Sequence, residues 1–273
     1  MANSFFIKSK LGTNLVIDVP GGSTKKGTLL DIYTRKKSND KNQLWSFLKG
    51  PAGKPGSFFI KSQLGNLVID VQGAKNMAGT PLDSYSKKTS NNKNQLWNFV
   101  PGSSLNSFHF FLQSLLGTSE LFIDVSGGKA KSGTPLIVSK KKSGKNDKQQ
   151  LWTLVAAPGN SHKPRITKVV PVAGDAGITV SGTGFFPFFP LLYTYHYVSS
   201  DGGDSFSSIE FMSTWADFAG NFTGYVPIEN PSNLSPTTTG YLTLTIQDGQ
   251  HAWARYSIGA SWNGTKFTIN SRS

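Results

Sequence analysis

The stretch Ile17-Asp18-Val19, followed by Asn42-Gln43-Leu44-Trp45, occurs three times in closely similar form in the first half of the chain. The tryptophans of successive copies are 52 and 55 residues apart, so the internal repeat has a period of about 50 residues. A period of that length constrains the architecture more strongly than local propensity does, because every unit has to build the same structure. The second and third copies are Ile69-Asp70-Val71 with Asn94-Gln95-Leu96-Trp97, and Ile123-Asp124-Val125 with Gln149-Gln150-Leu151-Trp152.

Three units of this kind predict a closed assembly. A propeller needs at least four blades, and the first two units lack the atypical ends of an open solenoid. Within a unit, short apolar runs such as Leu15 to Val19 alternate with Gly-rich and Lys-Ser-Asn segments, which predicts several short strands and no helix. Three four-stranded units that close on one another predict a β-trefoil. We expect the units to begin alike, at Ser4-Phe5-Phe6-Ile7, Ser57-Phe58-Phe59-Ile60 and Ser107-Phe108-His109-Phe110.

Each unit also contains a Gln-Leu-Trp tripeptide about 25 residues after its Asp-Val pair. This QxW pattern, repeated three times in register, resembles the ricin B-type (R-type) lectin domain over about residues 4–156. The resemblance implies a β-trefoil that binds sugars, usually of the galactose type, through shallow sites, with one possible site in each repeat.

The residues around the repeated aspartate suit a sugar site. A pyranose offers vicinal hydroxyls and one apolar C–H face, so a site needs a carboxylate to accept hydroxyl protons, an amide to donate and an aromatic ring to stack. Repeats 1 and 2 both contain this set, with a glutamine placed to brace the aspartate, and these positions match the sugar-contacting positions of the family. The predicted site residues are Asp18, Tyr33, Asn42 and Gln43 in repeat 1, and Asp70, Tyr85, Asn94 and Gln95 in repeat 2.

Repeat 3 departs from this pattern. Ser139 replaces the tyrosine and Gln149 replaces the asparagine, so Asp124 has no aromatic ring beside it and we expect the third site to be silent. A second departure lies two residues before the aromatic position, where the family often has glutamine. A carboxylate there would accept a further hydroxyl or recruit a cation, and both interpretations stay open. The residues at that position are Asp31, Asp83 and Ile137.

Structural roles compete with binding for some of these residues. An aspartate before a Gly-rich turn commonly bonds local backbone, which would make Asp18 and Asp70 turn-stabilising residues. Tyr33 and Tyr85 could be half-buried strand residues. The three QxW tryptophans end apolar runs at equivalent places, so we predict that they are core residues and not sugar platforms.

The composition of the whole chain gives further constraints on its domains and its partners. The 273 residues suit two domains, there is no cysteine for a disulfide, and no signal peptide is visible before the first repeat. Residues 1–159 hold 22 Lys and Arg against 8 Asp and Glu, whereas residues 160–273 hold 6 against 7. The basic excess is either a solvated face or an attraction to acidic glycans and cell surfaces. No recognition helix or stacking platform accompanies it, so nucleic acid is not an expected partner.

A different domain is predicted after the repeats. We expect the trefoil at residues 1–157, a linker at 158–164 and a β-sandwich at 165–273, with about seven strands. Two segments, Ile178 to Phe185 and Asp217 to Gly224, resemble the Ig-like domains of bacterial extracellular proteins, which are usually spacers or adhesion modules. The aromatic stretch Phe185 to Pro190 either packs in the sandwich or contacts membranes or another copy of the chain.

The sequence therefore predicts an all-β protein, an N-terminal β-trefoil followed by an Ig-like β-sandwich. We expect it to act as a lectin for galactose-type glycans, on cell surfaces or on polysaccharides outside the cell, with homo-oligomers possible. No catalytic residue, cofactor or metal site is expected: a triad can be written from His162, His196 or His251 with Asp201 or Asp204, but no GxSxG or HExxH pattern supports it. Alternative functions are a chimeric lectin toxin or adhesin whose second domain contacts membranes, and a glycan-targeting subunit of a hydrolase.

Overall fold

The structure is a computed structural model that divides into two compact units, Met1–Asn160 and Ser161–Ser273. Strands dominate the described residues of both units. The helices among the described residues are short 3₁₀ segments of the first unit, at Pro20–Gly22, Lys41–Gln43, Gln72–Ala74, Lys93–Gln95, Ser126–Gly128 and Gly144–Gln150. No helix in the described part of the chain is long and apolar enough to cross a membrane. The described residues are 4–54, 56–102, 109–158, 163–172, 177–185, 190–200, 205–217, 220–228, 238–248, 253–262 and 267–269.

Thirteen strands lie in the described residues of the first unit, divided among the three repeats. Repeat 1 holds β1 (Phe5–Ser9), β2 (Leu15–Asp18), β3 (Thr28–Leu29), β4 (Asp31–Thr34) and β5 (Trp45–Lys49). Repeat 2 holds β6 (Phe58–Ser62), β7 (Leu67–Val71), β8 (Leu82–Ser86) and β9 (Trp97–Pro101). Repeat 3 holds β10 (Phe110–Ser114), β11 (Leu121–Val125), β12 (Thr134–Lys140) and β13 (Trp152–Ala156).

Six of these strands form a closed antiparallel barrel, the first and last strand of each repeat. The ring runs β1, β5, β6, β9, β10, β13 and back to β1. The remaining strands form the hairpins β2–β4, β7–β8 and β11–β12, which join one another through β4–β12, β3–β8 and a bridge between Pro81 and Ile137. A six-stranded barrel with three mutually paired hairpins is a β-trefoil, which confirms the prediction.

The repeated tryptophans anchor the hairpins to the barrel. Trp45, Trp97 and Trp152 are fully buried, which confirms their prediction as core residues. Each indole N–H donates to the backbone carbonyl of the isoleucine that precedes the repeated aspartate, at 3.1, 3.2 and 3.3 Å. A buried indole needs such an acceptor, and here the acceptor ties the site aspartate's strand to the core.

The predicted start of repeat 3 was two residues too early. Phe5 pairs with Trp45, Phe58 pairs with Trp97, and their counterpart opposite Trp152 is Phe110. The strand therefore begins at Phe110, because that register places the apolar side chains in the barrel, while Ser107 and Phe108 lie outside the described residues.

The second unit consists of two antiparallel sheets around one core. One sheet has the order β14–β15–β18 and the other the order β17–β16–β19–β20–β21. Residues of both sheets, including Val180, Tyr195 and Leu244, share a single buried cluster. The strands are β14 (Arg165–Pro171), β15 (Ile178–Thr183), β16 (Pro190–Ser199), β17 (Ser205–Trp215), β18 (Phe222–Val226), β19 (Thr238–Gln247), β20 (Trp253–Trp262) and β21 (Phe267–Ile269).

Some predicted features of the second half lie outside the described residues. These are 186–189 of the aromatic stretch, 159–162 of the linker including His162, and the residues Asp201, Asp204 and His251. Phe185, at the start of the aromatic stretch, is buried and packs edge-to-face on Phe222 at 5.0 Å between ring centroids.

Candidate carbohydrate site

Cross-strand pairing brings the predicted site residues of repeat 1 onto one face of the β2–β4 hairpin. Asp18 lies directly opposite Asp31, and Tyr33 is two residues further along the same strand. Opposed residues point to the same side of a sheet, as do residues two apart on one strand, so the three side chains line one face. Repeat 2 repeats the arrangement, with Asp70 opposite Asp83.

A tight turn after the aspartate brings in the asparagine. Gly21 has φ of +64°, a left-handed conformation that favours glycine, and the turn returns the chain toward the segment of Asn42. The Val19 N–H donates to the Asn42 carbonyl at 2.9 Å, and the Asn42 side-chain amide donates to the Val19 carbonyl at 3.1 Å and to Asp18 Oδ1 at 2.7 Å. The pair is buried, each residue being 3% exposed.

Repeat 2 holds its aspartate in the same way as repeat 1, where Gln43 also hydrogen-bonds Asp18. The Asn94 amide donates to Asp70 Oδ1 at 2.6 Å, and the Gln95 amide donates to Asp70 Oδ2 at 2.8 Å. Burial raises the pKa of Asp70, while the hydrogen bond from Gln95 and the charge of Lys88 act in the opposite direction. The predicted set of Asp70, Asn94 and Gln95 is therefore brought together.

The QxW glutamines brace a loop as well as the aspartate. Gln43 donates to the Thr34 carbonyl at 3.0 Å and accepts the Lys36 N–H at 2.8 Å. Gln95 makes the equivalent bonds to Ser86 and Lys88, at 2.9 and 2.8 Å. Each glutamine thus fixes the chain just after the tyrosine.

Two lysines also belong to the candidate site, although their residue type alone predicted no individual role for them. Lys36 Nζ donates to Asn42 Oδ1 at 3.0 Å, and Lys88 Nζ donates to Asn94 Oδ1 at 3.1 Å and lies 3.6 Å from Asp70 Oδ2. Their regular position could have identified them, because each stands three residues after the tyrosine and six before the asparagine.

The exposed rings of the two tyrosines complete the hairpin face. Tyr33 is 43% and Tyr85 is 38% exposed, so both rings are available at the surface. Two ammonium groups, those of Lys26 and Lys88, lie 5.9 and 5.7 Å from the centroid of the Tyr85 ring. Lys26 comes from repeat 1, so residues of two repeats surround the second ring.

The second carboxylates, Asp31 and Asp83, stand in an unusual electrostatic position. One oxygen of each is buried without a hydrogen-bond partner. Burial and the neighbouring Asp18 raise the pKa of Asp31 to about 7, and burial and Asp70 raise the pKa of Asp83 to about 6. A carboxyl that keeps its proton near neutral pH can donate a hydrogen bond as well as accept one.

The second carboxylates do not belong to a larger cluster of possible metal ligands among the described residues. No group of three or more histidine, aspartate or glutamate side chains there is close enough to hold a metal ion.

The equivalent aspartate of repeat 3 is saturated by the protein itself. Asp124 is fully buried and accepts hydrogen bonds from Ser139, Gln149 at 2.7 Å and Gln150 at 3.1 Å, together with a contact of 2.6 Å from Lys142 Nζ. The tyrosine position holds Ser139, which bonds inward instead of presenting a ring. This carboxylate has few lone pairs left for a ligand.

Open depressions adjoin the asparagines of repeats 1 and 2. The first has a volume of about 430 Å³ and is lined partly by Gly22, Lys36 and Asn42. The second has a volume of about 470 Å³ and is lined partly by Lys54 and Asn94. Their volumes suit small ligands bound from solvent, but a depression of about 430 Å³ also adjoins Gln149 of repeat 3, so volume does not distinguish the repeats.

The family of ricin-type β-trefoil lectin-like domains matches the chain over residues 2–85 and 41–139. The chain belongs to this family. It is a family of lectin-like domains, so the fold points to carbohydrate binding by the first unit. A search of curated proteins finds no match.

The solved structures that are similar to a little over half of the chain include a designed protein and two lectins. The designed threefold-symmetric protein ThreeFoil is 22% identical over 56% of this chain and 97% of its own, with a TM-score of 0.47. A Polyporus squamosus lectin bound to Neu5Acα2-6Galβ1-4GlcNAc is 18% identical over 56% of this chain, with a TM-score of 0.43, and the chain spans 48% of its length. The ricin B-like lectin of Macrolepiota procera in complex with lactose is 24% identical over 55% of this chain and 93% of its own, with a TM-score of 0.41.

Proposed function

We propose that the protein is a lectin for galactose-type glycans, with two usable sites in repeats 1 and 2 and a silent third repeat. One observation supports this most strongly, the contrast between the repeats. All three aspartates are buried, but Tyr33 and Tyr85 present exposed rings beside the first two, whereas Asp124 is saturated by protein donors and has no ring beside it.

In the proposed complex the C–H face of the sugar stacks on the tyrosine ring. The sugar hydroxyls donate to the aspartate and compete with the lysine ammonium for it, which is feasible because the Lys88 side chain is 33% exposed and can move aside. Below about pH 6 the protonated form of Asp83 supplies a further donor. The oxygen of Asp83 that lacks a partner then gains one.

Such a shallow site should be weak. One ring and one carboxylate suggest a dissociation constant near the millimolar range, or about −4 kcal/mol per site. Two sites on one chain then gain by multivalency on a dense glycan surface.

Calorimetric titration of the full chain with lactose tests the proposal, with maltose as the glucose-containing comparison. We expect about two lactose sites per chain, no comparable maltose binding, and loss of lactose binding in the double variant Tyr33→Ala/Tyr85→Ala. Tyr241→Ala is the matched control, because Tyr241 is 63% exposed in the second unit. Unchanged binding in the double variant, or three equivalent sites, would contradict the assignment.

For the second unit we propose the predicted Ig-like sandwich, residues 165–273, which spaces or oligomerises the trefoil. Its two antiparallel sheets around one shared core support this, as does its charge, close to neutral beside the basic repeats.

A further inference from the structure

The outer face of the five-stranded sheet in the second unit carries a set of side chains that its core does not need. On β16, β19 and β20 the residues Tyr193, Leu244 and Ala254 are buried in the core. Side chains alternate along strands, so the residues between them face outward. The register places these outward residues in two neighbouring rows, Leu192–Gln247–Trp253 and Thr194–Thr245–Arg255.

These six residues line one depression of about 200 Å³. The Trp253 side chain is 56% exposed, although tryptophan is the side chain with the most apolar surface to bury. The Arg255 guanidinium lies 5.3 Å from the centroid of the Trp253 ring. The volume is below that of pockets for drug-sized ligands, so the depression suits a ligand of about one sugar ring.

The chemistry of the depression favours an anionic ligand. Arginine has donors and no acceptor, and its planar fork matches a carboxylate. Among the described residues, no carboxylate lies within ion-pair distance of Arg255. Thr194 and Thr245 are directly paired across the strands, and their hydroxyls both donate and accept, as sugar hydroxyls do.

We propose that this depression is a second carbohydrate-binding site, which takes a single sugar residue carrying a carboxylate. The apolar face of the sugar ring stacks on Trp253, the carboxylate binds the Arg255 guanidinium, and the ring hydroxyls exchange hydrogen bonds with Thr194 and Thr245. This site differs from the hairpin sites in its ring, its charge and its unit. It gives the second unit a binding role of its own.

The test uses two probes that differ at one group, methyl β-glucuronide and methyl β-glucoside. The full chain is labelled with ¹⁵N in its tryptophan side chains, and the Trp253 signal is the one that disappears in Trp253→Phe. We expect the glucuronide to shift this signal with a dissociation constant of about 1 mM and the glucoside to bind at least about tenfold more weakly. Trp253→Phe leaves an aromatic ring in place, so it assigns the signal with little effect on the fold.

Arg255→Gln keeps the reporter and removes the charge, so it should weaken the glucuronide about tenfold and abolish the preference between the probes. Tyr241→Ala is the matched control, because it removes another exposed aromatic side chain from the same face and should leave the titration unchanged. Three results would overturn the proposal: no shift up to about 20 mM glucuronide, equal shifts with both probes, or a shift that follows protein concentration instead of sugar. The last would identify the face as a contact between copies of the chain.

Discussion

At the residue scale, the repeated aspartate occurs in two states of hydrogen bonding. Asp18 accepts from Asn42 and Gln43, and Asp70 accepts from Asn94 and Gln95, whereas Asp124 is saturated. A carboxylate is useful to a ligand only while lone pairs remain. The sequence showed that repeat 3 lacks the ring and the asparagine, but it could not show that the protein itself saturates the aspartate there.

The saturation of Asp124 predicts a structural effect without a binding effect. Asp124→Ala removes the acceptor of the buried Gln150 amide and of the part-exposed Lys142 and Gln149, so the free energy of unfolding should fall by about 2 kcal/mol. Lactose binding at 20 °C should keep the wild-type affinity and stoichiometry. Thermal unfolding and calorimetry measure the two quantities, and a folded variant that has lost a lactose site would contradict the silent third repeat.

The raised pKa of Asp31 predicts a stability that depends on pH. Because its pKa is about 7 in the folded protein, against 3.8 in the reference state, the folded chain holds a proton between about pH 4 and pH 7 that the unfolded chain has released. The free energy of unfolding must then fall as pH rises through this window. Asp83, with a pKa of about 6, adds the same trend below pH 6.

Asp31→Asn should therefore stabilise the protein at pH 8, by roughly 1–2 kcal/mol, and leave it unchanged at pH 4. Denaturant unfolding at the two pH values gives this difference, and Asp40→Asn, outside the carboxylate pair, is the control. An equal effect of Asp31→Asn at both pH values would show that its proton is not involved.

At the scale of elements, the repeats predicted the trefoil because a period of about 50 residues has to be satisfied by every unit at once. About seven strands were predicted for the second half and eight lie in its described residues; the shortest, β21 at Phe267–Ile269, gives little periodicity in three residues. The start of repeat 3 was wrong because Phe108 and Phe110 are both aromatic and only pairing with Trp152 distinguishes them. The 3₁₀ helices were missed because they are short, with three residues in five cases and seven at Gly144–Gln150.

The site could be predicted only in part for a similar reason. The residue types and their spacing predicted the aspartate, tyrosine and asparagine of the candidate site. They could not show that the side chains of Lys36 and Lys88 hydrogen-bond the asparagines. Long side chains choose partners by tertiary geometry, which a charge run does not encode. The missing partners of Asp31 and Asp83 likewise depend on the packing around them.

The glutamine brace predicts a local effect on one site. Gln95→Ala removes hydrogen bonds to Asp70 and to the backbone at Ser86 and Lys88. We expect the free energy of unfolding to fall by about 2 kcal/mol, and the number of lactose molecules bound per chain to fall by about half. Gln72→Ala, at an exposed position, is the matched control. Two intact sites in Gln95→Ala would show that the brace does not shape the second site.

At the scale of the whole molecule, the charge belongs to one half. The first 159 residues hold 22 basic against 8 acidic side chains, and several exposed lysines, such as Lys37, Lys41 and Lys93, are close in sequence to the proposed sites. If these lysines attract acidic glycans, binding of a sulphated galactoside should weaken steeply with salt, because exposed charges are screened within about 10 Å at 0.1 M. Lactose binding should change little, since stacking and hydrogen bonds carry it.

Changing Lys37, Lys41 and Lys93 to Gln separates attraction from solubility. Lys36 and Lys88 are left unchanged because they hold the asparagines of the site, so removing either of them would alter the site itself. The triple variant should lose affinity for the sulphated galactoside at 50 mM salt by about tenfold, since each exposed charge contributes up to about 1 kcal/mol, and it should bind lactose as before. Lys163→Gln with Lys168→Gln, two exposed lysines of the second unit, is the control and should change neither titration. The same salt response for both ligands in the wild-type protein would leave the basic excess as a solvated face.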